Sequence, residues 1–106
     1  MTKDLDRLEM LAQIVAQNPN DAFARYGLAM ELANRGELER ALEEFKQLLE
    51  RHPDYSAGYF MAAQQLAKAG RNDEAKEHLT RGIAAAERTR NAHARAEMQA
   101  MLDEIS

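Results

Sequence analysis

Residues 25–53 read RYGLAMELANRGELERALEEFKQLLERHP, and this stretch decides the fold. Leu28, Ala29, Leu32 and Ala33 recur at helical spacing and stop at Asn34-Arg35-Gly36, where a glycine can take the left-handed conformation that ends a helix. A second stripe, Leu38, Ala41, Leu42, Phe45, Leu48 and Leu49, follows at once and closes at His52-Pro53, because the residue before a proline avoids the helical region. The stretch therefore reads as two amphipathic helices joined by a tight turn. Three of its landmarks have counterparts at one fixed interval: Pro53 with Pro19, Gly36 with Gly70, Ala41 with Ala75. A single interval of this size means stacked supersecondary units, each burying its apolar face on the next.

Working outward, Leu5, Leu8, Leu11, Ala12, Ile14 and Val15 predict a first helix over 4–17, stopped by Asn18-Pro19-Asn20. Asn20 or Asp21 caps a second helix over 21–34. Its apolar residues, Phe23, Tyr26, Leu28, Ala29, Met30, Leu32 and Ala33, cover more than one face, so it touches two neighbours, or a neighbour and a ligand. The third helix, 37–51, keeps its many charges off its apolar stripe, as a solvated face does. A fourth helix is expected over 55–69 and a fifth over 72–89, with Ala75, Leu79 and Ile83 inward. Glu87 occupies the place of a third proline, so the fifth helix runs on. Asn91 caps a sixth helix over 92–105, with Ala94, Met98, Met101, Leu102 and Ile105 on one side and Glu97, Asp103 and Glu104 facing away. A last helix with one polar face ends a stack without exposing apolar surface.

Composition agrees. The 106 residues suit one small domain, 45% hydrophobic and 30% charged, with two prolines and five glycines. A net charge of −4 argues against nucleic acid as partner. One basic cluster, Arg81, Arg88, Arg90 and Arg95 around His93, reads as a solvated helix flank rather than a phosphate site. No cysteine is present, which excludes disulfides and thiolate metal sites. The N-terminus lacks a signal-peptide apolar stretch and no apolar run nears the ~20 residues of a membrane span. The expectation is a soluble, cytoplasmic protein that does not engage membranes.

With these residues in view, the chain resembles the tetratricopeptide repeat (TPR) family, whose motif runs W-x2-L-G-x2-Y, A-x3-F, P over two helices. Arg25, Leu28, Ala29, Leu32, Ala41, Phe45 and Pro53 match it first; Tyr59, Ala62, Ala63, Leu66, Ala75, Leu79 and Glu87 match it again. Leu11, Ile14 and Pro19 match the end of a half repeat, with Arg7 at its small-residue position. A plain helical bundle and a related α-solenoid are the alternatives. The resemblance implies an all-α, right-handed superhelix of about six antiparallel helices. It also implies a single domain over 1–106: a half repeat at 4–19, repeats at 20–53 and 54–87, and a capping helix at 91–105.

For function, the resemblance implies a protein-interaction scaffold that receives a peptide or partner helix in a concave groove. The first helix of each repeat lines that groove: Phe23, Tyr26, Met30 and Ala33, then Ala57, Phe60, Gln64 and Lys68. Several of these can instead pack against neighbouring helices. The family's carboxylate clamp is not expected, since Tyr26, Met30 and Met61 stand where it carries Lys and Asn. No nucleophile–base constellation, HExxH, phosphate loop or dinucleotide fingerprint occurs. Glu74 and His78 share a helix face, but two ligands make no metal site. No catalysis, metal or cofactor is expected. A short stack also leaves apolar surface at its ends, so a homodimer is the competing reading.

Overall fold

The computed structural model describes residues 6–106; over these it contains six helices and no strand. They are α1 (Arg7–Gln17), α2 (Ala22–Asn34), α3 (Leu38–Arg51), α4 (Ser56–Lys68), α5 (Asn72–Arg88) and α6 (Ala92–Ile105). Each lies within two residues of its expected bounds, except that α1, expected from residue 4, starts at Arg7 because Asp6 caps it from outside the helix; residue 4 and Leu5 themselves fall outside the described residues. The chain divides into two compact units, before and after the Arg51–His52 bond.

In the first unit α2 and α3 form a hairpin and α1 packs on α2. Ala29 and Ala41 are fully buried, as are Phe45 and Leu48, with Leu32 almost so. The two alanines let the helix axes approach, and the large side chains fill the space beside them. Asp6 caps α1 by accepting from the Glu9 N–H at 2.9 Å, and Asp21 caps α2 by accepting from Ala24 at 3.0 Å.

In the second unit α5 packs on both α4 and α6, and α6 also touches α4. Ala62, Ala63, Ala75, Leu79 and Ala85 are fully buried. Gly82 stands one repeat interval after Leu48, so the second hairpin lacks the leucine that the first one buries there. Met98 of α6 takes that room and is 1% exposed. A Cβ placed on Gly82 would collide with the Met98 sulfur and lie 2.7 Å from Tyr59 Cβ. The absent side chain is the seat of α6.

Three helices end in the same way. Gly36 (φ 79°), Gly70 (φ 78°) and Arg90 (φ 55°) occupy the left-handed region. The next residue's N–H closes each turn: Glu37 onto the Leu32 carbonyl at 2.9 Å, Arg71 onto Leu66 at 2.8 Å, and Asn91 onto Ala86 at 2.8 Å. With Glu87 in place of proline, α5 has 17 residues where α3 has 14. Asn91 caps α6, accepting from the Ala94 N–H at 3.0 Å.

Candidate binding cleft between the fourth and sixth helices

Phe60, Gln64 and Lys68 follow one another at four-residue spacing and so share a face of α4. Glu97, Met101 and Ile105 do the same on α6. The two faces meet across an open cleft. One part, of about 480 Å³, is lined by Gln64, Gln65, Ala67 and Lys68 with Met101, Glu104 and Ile105. The adjoining part, of about 380 Å³, is lined by Phe60 and Gln64 with Glu97, Ala100, Met101 and Glu104.

The walls correspond residue for residue. Phe60 and Glu97, Gln64 and Met101, Ala67 and Glu104, and Lys68 and Ile105 are all separated by the same stretch of chain. That separation is the repeat interval plus the three residues by which α5 exceeds α3. Helix α6 therefore presents the same face as α4, one unit later and three residues out of step. Carrying the correspondence on, Gln99 and Asp103 of α6 match Ala62 and Leu66 of α4, which are 0% and 1% exposed. Gln99 instead donates from its side-chain amide to the Asp103 carboxylate at 3.0 Å. The face of α6 that would take a further helix is polar.

Chemically the cleft mixes the apolar side chains of Phe60, Met101 and Ile105 with the carboxylates of Glu97 and Glu104 and the ammonium of Lys68. Gln64 adds an amide able to bond a peptide backbone. Glu97 lies 3.4 Å from His93 Nε2 on its solvent side. Of the residues singled out in the sequence, Phe60, Gln64 and Lys68 come together here. Ala57 is exposed near the start of α4. In the first unit Phe23, Tyr26, Met30 and Ala33 lie along α2. Phe23 is 71% exposed. Tyr26 is half-buried and sets its ring edge-on to Phe45, centroids 6.5 Å apart and planes at 69°, so part of its surface serves the hairpin. Met30 and Ala33 are half-buried.

The α6 wall was not among the expected groove residues. Glu97 and Glu104 are solvent-exposed, as expected, yet they rim the cleft rather than face away from everything. A ruler set to the repeat interval hides them, and only the extended α5 brings them into phase.

The basic cluster is largely committed within the protein. Arg81 lies over the Tyr59 ring, 5.4 Å from its centroid. Arg88 pairs with Asp54 at 2.7 Å and Arg95 with Glu87 at 3.2 Å. Arg71 grips both oxygens of Glu74 at 2.8 and 2.9 Å and holds that carboxyl below its ordinary range. His78 turns its Nδ1 to the Glu74 backbone carbonyl, at 2.9 Å. Among the described residues no three His, Asp or Glu side chains are grouped to hold a metal ion. None of the described helices is long and apolar enough to cross a membrane.

Family models for the tetratricopeptide repeat match residues 2–59 and 32–102. The chain belongs to the tetratricopeptide repeat family. A TPR repeat-containing protein of Pseudomonas aeruginosa is 29% identical over 98 residues, 92% of this chain and 93% of that one. Among solved structures, a TPR domain protein from Salinibacter ruber superposes with a TM-score of 0.79 at 29% identity, covering 84% of this chain and 90% of that one. YrrB, described as a TPR protein with an unusual peptide-binding site, gives a TM-score of 0.70 at 32% identity over 74% of this chain and 40% of its own. The α2–α3 and α4–α5 hairpins bury Ala29, Ala41, Ala63 and Ala75 completely.

Proposed function

We propose that this TPR protein is a non-catalytic interaction module that holds an extended peptide, or one face of a partner helix, along the first helix of its repeats. We further propose that residues 1–106 make up one TPR domain. The observation that carries it is the open α4–α6 cleft, lined by both apolar and charged side chains. Adaptable anchors such as Met101 and Phe60 suit apolar side chains of a partner. Glu97, Glu104 and Lys68 at the rim would set its direction. YrrB, a relative by structure, has a peptide-binding site by description, which supports the class of ligand without identifying it. Within the first unit, Phe23, Tyr26, Met30 and Ala33 on α2 are proposed as partner contacts in their own right.

The test is to select peptides on the purified protein from a random displayed library and measure their affinity for a Phe60→Ala, Met101→Ala variant. Loss of two anchors weakens binding by roughly tenfold or more, with helicity unchanged. The reading fails if the selected peptides bind that variant, and a Tyr26→Ala, Met30→Ala variant, as tightly as the parent.

A further inference from the structure

The two parts of the α4–α6 cleft differ in charge. Where Phe60 and Gln64 face α6, the ionisable side chains of the lining are Glu97 and Glu104, with no lysine or arginine among them. The adjoining part has Lys68 beside Glu104. Glu97 and Glu104 stand two turns apart on one face of α6, about 10 Å along its axis. Among the described residues neither has a guanidinium or ammonium partner. Glu97 has the His93 ring at 3.4 Å, which is positive only when protonated, and Glu104 makes no ion pair or hydrogen bond. Arg95, on the same helix, is engaged by Glu87.

This lining suits one kind of side chain. Carboxylates without an internal cation are complemented by a cation from outside, through charge-assisted hydrogen bonds. Phe60 offers an aromatic ring for that cation to lie against. Phe60 and Met101 also offer apolar surface to the methylene stem that carries it. Ile105 extends the apolar lining into the adjoining part. An acidic segment meets two like charges in the cleft against one opposite charge, that of Lys68.

We propose that the cleft selects a peptide segment carrying an arginine or lysine beside an apolar residue, with the basic side chain held by Phe60, Glu97 and Glu104. The inference rests on the α4–α6 cleft being the peptide site, and it names the chemistry of the ligand. The Glu97 side chain is 47% exposed, so solvent screens the attraction and one pair alone changes affinity only a few-fold. Both carboxylates must be removed together.

The test takes octapeptides selected on the full chain from a random displayed library. Each is remade with a neutral isostere, citrulline for arginine or norleucine for lysine. Basic residues are enriched among the selected peptides, and Glu97→Gln, Glu104→Gln weakens their binding about tenfold. The neutral peptides bind parent and variant alike, since the interaction is already gone. Lys68→Ala leaves the basic peptides bound at least as tightly. All three side chains are exposed, so circular dichroism of the variants matches the parent. Peptides lost on Phe60→Ala, Met101→Ala but indifferent to the double glutamine change would overturn this inference and leave the cleft as the site. Acidic peptides lost on Lys68→Ala would do the same. Peptides indifferent to the Phe60→Ala, Met101→Ala change as well, or a selection that returns none, would overturn this inference and the cleft together.

Discussion

Arg25 and Tyr59, one repeat interval apart, make the same bond. Each donates to the carbonyl of the proline six positions before it, Arg25 to Pro19 at 3.2 Å and Tyr59 to Pro53 at 2.8 Å. This position carries Trp in the family's motif; here both occupants tie the start of a repeat to the turn it leaves. They do so at different cost. The tyrosine brings an apolar ring and one hydroxyl. The arginine brings a charge, 7% exposed, that needs Glu44 of α3 at 2.7 Å and still leaves its Nε without a partner.

Glu44→Ala should therefore destabilise by about 2 kcal/mol, below the range for a fully buried pair because the Glu44 side chain is 25% exposed. Arg25→Tyr, Glu44→Gln keeps the bond to the Pro19 carbonyl and removes the ion pair, and it should lie within about 1 kcal/mol of the parent. Urea unfolding of the two variants decides. Equal losses would mean that the ion pair, rather than the bond to proline, is what the site requires.

Gly82→Ala tests the seat of α6. Alanine favours the helix by about 1 kcal/mol, yet its methyl meets Met98 and Tyr59, and overpacking costs about 1–3 kcal/mol. The expected net result is a loss of stability. Gly82→Leu, which restores the residue found at Leu48, should displace α6 and raise amide exchange across residues 92–105.

Arg90 should yield a gain. A non-glycine residue in the left-handed region carries roughly 1 kcal/mol of strain, and neither Gly36 nor Gly70 bears it. Arg90→Gly is expected to raise thermal stability, while Gly36→Ala lowers it by about 1 kcal/mol. Calorimetry on both variants should give shifts of opposite sign.

Asp6 makes one contribution depend on acid. The Glu9 N–H, and then the Arg35 charge, hold its carboxyl below its ordinary value of 3.8, partly opposed by desolvation. A depressed folded-state value means that its support is complete above the unfolded value and is lost as pH falls through 3.8 and below. Asp6→Asn can still cap α1, and its melting temperature should fall less steeply than the parent's between about pH 4 and pH 2.

The repeat core was legible because it depends on local chemistry. Pro53, Gly36 and the alanine pairs act through backbone conformation and side-chain size, and Ala29, Ala41, Ala63 and Ala75 all proved fully buried. The cleft was only half legible. Phe60, Gln64 and Lys68 follow from the interval, but their opposite wall depends on where α5 ends. The missing proline at Glu87 signals that α5 runs on, but how far it runs is set at Arg90, a residue that no landmark of the interval singles out. Gly82 was silent for a related reason. Its meaning lies in Met98, a residue of another helix, and a sequence pattern within α5 contains no trace of it.

The Gln99–Asp103 bond also limits growth by duplication. A further copy of the hairpin appended after α6 would have to bury an amide and a carboxylate where Ala62 and Leu66 sit in the copy before. Lengthening the array therefore needs at least two substitutions before any added unit could dock. Until they occur, a hairpin joined after α6 hangs as a tethered passenger and does not lengthen the stack.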